Sequence, residues 1–142
     1  MKFNNPEPPI TEQDIVQAEI VLGINLPAVI RDFYLSANGG SPEPYVFEDQ
    51  NIDTVVAEFL PLKSQHKGTV LASYKRLVSE KKLVPWHFLP FAVDGGGDYF
   101  FADCSTSDAE VYFYRSDSAS NKPLVSLDLA FNQFWRSLKD EN

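Results

Sequence analysis

The chain has 142 residues, of which 20 are acidic and 12 basic, so its formal net charge is −8. With 44% hydrophobic residues, a chain of this length is expected to fold as one domain, residues 1–142, around its own core. These values exclude intrinsic disorder, and the excess of acids argues against direct binding to nucleic acid. An acidic surface suits a basic protein partner, or it serves solubility alone.

The sequence contains no indication of secretion or membrane insertion. Its single cysteine, Cys104, allows no internal disulfide, and the opening MKFNNPEPPI lacks the apolar segment of a secretory signal. The longest apolar stretch, residues 20–30, is too short and too interrupted to span a bilayer. We therefore expect a cytoplasmic protein without membrane contact, either a monomer or a weak homodimer formed through an unpaired strand edge.

The proline-rich first ten residues are expected to form an extended arm, and two short helices are predicted to follow it. Thr11 is typical of a helix N-cap and Gly23 of a helix end. Pro27 predicts the first turn of the second helix, because its fixed backbone angle suits that position. The end of this helix is marked by three turn-forming residues, Asn38, Gly39 and Gly40.

The rest of the chain is dominated by predicted strands. β-Branched and aromatic residues predict them at 45–47, 54–60, 88–93, 99–104, 110–115 and 123–126. The strands at 88–93 and 99–104 are apolar at odd and even positions, which is typical of strands covered on both faces. Between the first two strands and the last four, the spacing of apolar residues predicts a helix over 69–83.

Ser126 is predicted to cap a final helix whose apolar side carries Phe131, Phe134 and Trp135. Helices and strands do not alternate strictly along the chain, so a doubly wound parallel sheet is not expected. The prediction is an α+β fold with a single mixed or antiparallel sheet, on which the N-terminal helix pair and the C-terminal helix pack.

Three carboxylates surround a glycine turn between two predicted strands. Asp94, Asp98 and Asp103 are calcium ligands by residue type, but their spacing does not match an EF-hand loop. Glycine and aspartate also dominate ordinary turns. We therefore interpret the segment as an acidic hairpin in which Asp98 accepts hydrogen bonds from turn amides, and we predict no metal site.

Cys104 is a candidate nucleophile, with His66 or His87 as its general base. No catalytic signature surrounds this cysteine, and the adjacent Asp103 disfavours the thiolate form. A buried, inert thiol is the expected outcome, since free cysteines are among the most buried residues. The sequence thus predicts no catalytic residue and no cofactor.

Charge is segregated along the chain in a way that suggests a binding surface. Residues 32–62 and 83–114 contain acids and no base, whereas residues 63–82 contain six bases and one acid. Such blocks steer a charged partner towards one surface, or they are simply solvated faces of an acidic protein. A tryptophan at the start of a predicted strand adds an aromatic contact of the type enriched at interfaces. The predicted partner-binding residues are Glu43, Glu48, Asp49, Asp53, Trp86, Asp108 and Glu110.

Three sequence features in succession resemble the SUKH superfamily, which contains the fungal Smi/Knr cell-wall regulators and many bacterial immunity proteins. The first is the helix that opens at Leu26-Pro27 and ends at Asn38-Gly39-Gly40. The second is the segment 89–103 with its glycine turn, and the third is the Val111-Tyr112 strand followed by the C-terminal helix. The resemblance implies an α+β fold without enzymatic activity. It also implies scaffold roles for Pro27, Asn38, Gly39, Gly40, Pro90, Phe91, Gly96, Gly97 and Asp98.

The resemblance further implies a class of function. Bacterial members that this chain resembles bind a cognate toxin domain, often a nuclease, and neutralise it, whereas fungal members are regulatory interaction proteins. We therefore expect a non-catalytic protein-binding domain that acts as an immunity protein, without a cofactor and with a basic toxin as its partner. The alternative is a regulatory or scaffold module with a non-toxin partner. A hydrolase or metal-dependent enzyme that uses the hairpin aspartates is a third hypothesis.

Overall fold

The computed structural model describes residues 2–65, 68–117 and 121–141, and its helices and strands lie within these ranges. The helices are α1 (Glu12–Leu22), α2 (Ala28–Ser36), α3 (Val70–Tyr74), which continues as a π-helix (Lys75–Glu80), and α4 (Phe131–Arg136). The strands are β1 (Lys2–Asn4), β2 (Ser41–Glu43), β3 (Val46–Glu48), β4 (Asp53–Phe59), β5 (Phe88–Asp94), β6 (Tyr99–Asp103), β7 (Val111–Tyr114) and β8 (Leu124–Ser126). None of these helices is long and apolar enough to cross a membrane.

Strands β3 to β8 form one six-stranded sheet in which each strand pairs antiparallel with the next along the chain. The short β1 and β2 form a separate antiparallel pair. The predicted α+β fold is confirmed, and the sheet is antiparallel rather than mixed. The register of β5 shifts between Pro90 and Ala92, so a residue that lacks a backbone N–H lies at a bulge of a central strand.

The N-terminal arm is extended, as predicted, because β1 pairs with β2. Helix α1 then starts at a capping box: the Asp14 N–H donates to Thr11 Oγ1 at 3.2 Å, and Asp14 Oδ2 accepts the Thr11 N–H at 2.9 Å. Gly23 ends this helix in the left-handed conformation, with φ of 70°. Pro27 occupies the N-cap position of α2. The two predicted N-terminal helices are therefore present, but Pro27 precedes the first turn of α2 instead of lying in it, and α2 ends at Ser36, before Asn38.

Asn38 joins three segments of the fold. Its side chain is buried, with Nδ2 donating to the carbonyls of Pro8 at 3.1 Å and Lys63 at 2.8 Å, while Oδ1 accepts the Leu62 N–H at 2.9 Å. The following Gly39 has φ of 77°, and a Cβ there would lie 2.7 Å from the Phe59 carbonyl oxygen. This turn therefore ties the arm, α2 and the segment after β4 together.

One face of the sheet is covered by α2 and α4 through aromatic side chains. The rings of Phe91 and Phe131 have their centroids 5.0 Å apart, as do those of Phe100 and Phe134. Phe33 of α2 lies 5.3 Å from Phe131. These rings are buried and form the centre of the core.

The opposite face is covered by the helix that runs from α3 into the π-helix. Successive strand residues point to opposite faces, so Phe101 faces away from the aromatic core side that holds Phe100. Leu77 and Leu83 lie against Phe101 on this side, and Arg76 Nη2 donates to the Tyr99 hydroxyl at 2.7 Å. Strands β5 and β6 are thus covered on both faces, as their apolar sequences predict.

The prediction that Ser126 caps the final helix is wrong. Residues 127–129 instead continue alongside β7, with the Leu127 N–H donating to the Val111 carbonyl at 3.1 Å and the Leu129 carbonyl accepting the Val111 N–H at 2.9 Å. Helix α4 begins only after Ala130, whose N–H donates to the Gln133 side chain at 2.9 Å. The apolar residues before α4 are therefore positioned by backbone hydrogen bonds to β7, with Asp128 in the left-handed conformation at φ of 55°. The helix predicted over 69–83 is also shorter, and its second half is π-helical.

Candidate functional site

Three tyrosines on one face of the sheet are only partly buried. The register pairs Tyr99 with Tyr114 and Phe101 with Tyr112, so all four rings lie on the face covered by the π-helix. Phe101 is buried there, whereas Tyr99, Tyr112 and Tyr114 remain partly accessible. The π-helix buries Phe101 but leaves these three tyrosines accessible, and we therefore call the three tyrosines the open face.

A row of four rings leads from the open face to the surface, and we call it the aromatic row: Trp86, His87, Phe88 and Tyr112. Adjacent ring centroids are separated by 5.5 Å, 5.1 Å and 4.8 Å in that order. Trp86 is 65% exposed, and its carbonyl accepts the Tyr74 hydroxyl at 2.5 Å, which positions the backbone at the exposed end. Tryptophan and tyrosine rings are common energetic centres of protein interfaces.

Three carboxylates lie close enough to Tyr112 to affect its hydroxyl electrostatically, and we call them the acidic triplet: Asp103, Glu110 and Asp128. The Asp103 N–H donates to the Glu110 carbonyl at 2.8 Å, which aligns β6 and β7 at this end of the sheet. Burial raises the pKa of the Tyr112 hydroxyl, and the charges of Glu110, Asp103 and Asp128 raise it further. Tyr112, the inner end of the aromatic row, therefore lies in a negative electrostatic environment.

His87 links the aromatic row to the acidic triplet. Its Nδ1 lies 2.8 Å from Asp103 Oδ1, which also accepts the Ser105 N–H at 2.9 Å and the Ser105 hydroxyl at 2.6 Å. Burial alone would raise the pKa of the Asp103 carboxyl, but the hydrogen bonds from Ser105 and His87 outweigh it and lower the pKa below its usual value. These bonds fix the carboxylate and the imidazole in one arrangement.

The same geometry bears on the nucleophiles considered from the sequence. The Ser105 hydroxyl donates to Asp103 and not to the imidazole, whereas an activated serine requires a hydrogen bond to its base. Cys104 is partly buried, and burial together with the Asp103 charge raises the pKa of its thiol to about 12. The thiol is therefore protonated at neutral pH, as expected from the sequence. His66 lies outside the described residues.

The carboxylates around the glycine turn do not converge. Asp94 and Asp98 lie at the turn, whereas Asp103 pairs with Phe88 at the far end of the two strands. Within the described ranges, no three His, Cys, Asp or Glu side chains are grouped so as to hold a metal ion. The residue that accepts the turn amides is Asp94, through the N–H groups of Gly96 at 3.0 Å and Asp98 at 2.7 Å. The role predicted for Asp98 is therefore wrong, since its own carboxylate accepts from Ser116.

The predicted partner-binding acids do not form one surface. Because Val56 pairs with Asp94, the hairpin of β3 and β4 lies at the glycine-turn end of the sheet. The predicted residues Glu48, Asp49 and Asp53 belong to that hairpin, with Glu48 opposite Asp53. Asp108 and Glu110 lie between β6 and β7, at the other end of the sheet.

Two acids of this hairpin, Glu48 and Asp49, also have partners within the chain, and so does Glu43 of β2. Glu48 forms an ion pair with Lys139, and Asp49 Oδ1 accepts the N–H groups of Asn51 and Ile52, each at 2.8 Å. Glu43 accepts a hydrogen bond from the Asn4 amide at 2.9 Å. By contrast, Trp86 and Glu110 belong to the aromatic row and the acidic triplet, at the same end of the sheet as Asp108.

Several residues of this site were not identified from the sequence, namely His87, Asp103 and Asp128 as polar neighbours and the tyrosines of the open face. One available signal is the alternation of β7, in which Val111 and Phe113 are buried and Tyr112 and Tyr114 are half-exposed. Asp103 and Asp128 carry no comparable signal, because only the strand register places them beside Tyr112.

Comparison with known proteins gives one family match. The model of the SMI1/KNR4 family (SUKH-1) matches residues 9–137, a range that includes strands β2 to β8 and helices α1 to α4. No curated protein matches the chain.

Proposed function

The chain belongs to the SMI1/KNR4 family (SUKH-1), and we propose that it is a non-catalytic protein-binding domain that acts as an immunity protein. The observation that carries this proposal is the link between the aromatic row and the acidic triplet, in which His87 Nδ1 lies 2.8 Å from Asp103 Oδ1. This combination of exposed rings and surrounding carboxylates suits a protein partner with basic and apolar groups side by side.

The rings supply contact area at low entropic cost. Tryptophan and tyrosine side chains have few rotatable bonds, and His87 is already held by Asp103 at 2.8 Å. Trp86 is 65% exposed at the outer end of the row, whereas Phe88 is buried and packs on the partly accessible Tyr112. A partner that covers Trp86 therefore buries a large ring whose surroundings are ordered before binding.

The acidic triplet selects for a basic partner. Carboxylates at the edge of an interface attract cationic groups over a distance and raise the association rate more than the final affinity. A net charge of −8 adds to this long-range attraction. A toxin domain that acts on nucleic acid has a basic cleft, and an acidic inhibitor with this surface is suited to occupy it.

The contacts of the candidate nucleophiles support the non-catalytic part of the proposal. The Ser105 hydroxyl is committed to Asp103, and the Cys104 thiol has its pKa raised to about 12 by burial and by Asp103. Neither group is poised to attack a substrate at neutral pH.

Two measurements test the proposal: protection of cells against the toxin domain, and direct binding of the chain to that domain. The chain is co-expressed with the toxin domain encoded beside its gene, and binding of the two purified proteins is measured by calorimetry. We expect protection by the wild-type chain and loss of protection with Trp86→Ala combined with Glu110→Lys. Asp53→Lys, which makes an equivalent change at the other end of the sheet, is the matched control and should protect.

Failure to bind any adjoining toxin, together with a stable complex with a housekeeping protein, would favour the regulatory alternative. Equal loss of protection by Asp53→Lys would place the interface on the β3–β4 hairpin instead of the aromatic row. Circular dichroism and thermal melting of each variant separate loss of binding from loss of folding.

A further inference from the structure

A groove of about 370 Å³ lies between β1, α2 and α4, on the side of the sheet opposite to the open face. Its aromatic walls are Phe3, Phe33 and Trp135, and Phe3 and Phe33 are in edge contact with ring centroids 5.6 Å apart. The remaining lining residues are Val29, Asp32, Ser36, Ala37 and Asn132. Its volume is within the range of sites that bind small organic groups.

Two polar side chains of the groove, Ser36 and Asn132, are hydrogen-bonded within the chain, and the charged group that remains is the Asp32 carboxylate. The Ser36 hydroxyl donates to the Phe33 carbonyl at 2.7 Å, and Trp135 Nε1–H donates to Asn132 Oδ1 at 3.3 Å. Asp32 is exposed, and within the described part of the chain its carboxylate has no hydrogen bond or ion pair. The groove therefore combines three aromatic rings with one carboxylate that is free to accept a ligand.

A guanidinium group of the chain itself stacks on the Trp135 indole, from a residue that does not line the groove. Arg136 places its central carbon 5.2 Å from the centroid of the Trp135 ring, in a cation–π contact. A planar, weakly hydrated guanidinium stacks on aromatic faces and also binds a carboxylate with two parallel hydrogen bonds. An ammonium group makes the charge contact but lacks the planar stacking surface.

We propose that this groove binds the side chain of an arginine on a partner protein. The guanidinium pairs with the Asp32 carboxylate, and the apolar stem packs between Phe3, Phe33 and Trp135. The negative charge of Asp32 and the aromatic walls select an arginine over an acidic or a purely apolar side chain. The groove is on the opposite side of the sheet from the aromatic row. A partner arginine therefore occupies the groove independently of toxin binding at the aromatic row.

The test uses Trp135 as its own reporter. The chain contains two tryptophans, and Trp86 is 65% exposed, so Trp86→Phe removes the other fluorophore with little expected effect on folding. This protein is titrated with Nα-acetyl-arginine methylamide, with the corresponding lysine derivative and with the citrulline derivative, which has the shape of arginine without its charge. Changes in Trp135 emission report on occupation of the groove.

We expect saturable binding of the arginine derivative, with the citrulline derivative bound at least about tenfold more weakly. Asp32→Asn should lower the affinity for arginine to that for citrulline, whereas Asp53→Asn, the same change at a remote exposed site, should leave it unaltered.

Absence of a saturable signal with arginine would overturn the proposal. Equal binding of citrulline would identify an apolar groove without selection for charge, and equal binding of lysine would show that the planar group is not recognised. Either result would also overturn it. The comparison of the three derivatives uses no Asp32 variant, so it stands even if that variant were unstable.

Discussion

The Asp94 carboxylate accepts the backbone N–H of Asp98 at 2.7 Å and thereby closes the glycine turn between β5 and β6. The same side chain accepts the Gly96 N–H at 3.0 Å and the Thr54 hydroxyl at 2.8 Å. It therefore joins the turn to β4, and it does so at a position where Asp94 is only 8% exposed. A buried carboxylate with three donors is an organising group of this end of the sheet.

Replacing Asp94 by alanine is expected to lower the free energy of unfolding by about 2–3 kcal/mol, because buried turn amides lose a charged acceptor. Asp98→Ala should cost less than about 1 kcal/mol, since the turn amides keep Asp94. Urea unfolding of both variants checks the order, and a larger loss for Asp98→Ala would contradict this assignment.

Phe134→Ala is expected to destabilise the protein by about 3–5 kcal/mol, the usual cost of truncating a fully buried phenylalanine. Phe134 is completely buried and contacts the rings of Phe91 and Phe100, which join α4 to the sheet. Val16→Ala on the exposed side of α1 is the control and should change stability by less than about 0.5 kcal/mol. A loss below about 1 kcal/mol for Phe134→Ala would mean that α4 does not pack as described.

Asp103 should make stability depend on pH in the acid range. Its pKa is lowered in the folded protein, chiefly by Ser105 and His87 against the effect of burial, so the unfolded chain binds its proton more readily. The resulting stabilisation is present above the ordinary carboxyl pKa of 3.8 and is lost as pH falls through the lower folded value.

Asp103→Asn should therefore lose less stability than the wild type between about pH 7 and pH 3, as measured by urea unfolding at several pH values. Parallel curves for wild type and Asp103→Asn would contradict the assigned hydrogen bonds.

Cys104 should react slowly with alkylating agents. With its pKa raised to about 12 by burial and by Asp103, the thiolate is a very small fraction at about pH 8, and the thiolate is the reactive form. Alkylation by iodoacetamide, followed by mass spectrometry, should be at least about 100-fold slower in the folded protein than in urea. Similar rates in the two conditions would show an accessible, reactive thiol.

If the partner is basic, Glu110→Lys should slow association and weaken its dependence on salt, because charges at an interface edge act mainly on the encounter. Glu48→Lys should have a smaller effect, since Glu48 is already paired with Lys139 at the opposite end of the sheet. Stopped-flow association at several ionic strengths measures both. An association rate of the wild type that does not depend on salt would contradict the electrostatic account.

Much of the fold is determined by local sequence. The capping residues Thr11 and Asp14, the left-handed Gly23 and the alternating or continuous apolar strands each act within a few residues of the chain, so their effect can be predicted without the rest of the molecule. The family resemblance is carried by the helix from Leu26-Pro27 to Asn38-Gly39-Gly40, by the segment 89–103 and by the Val111-Tyr112 strand with the C-terminal helix, and the family match over residues 9–137 confirms it.

Only the tertiary structure determines which side chains share a surface. Asp103, Glu110 and Asp128 come from different segments and meet around Tyr112 because the register of β6, β7 and the segment after β8 brings them together. Glu48 is paired with Lys139, which is distant in sequence. Contacts of this kind depend on how separate segments align in space, and a one-residue change of register would move every side chain of a strand to the other face.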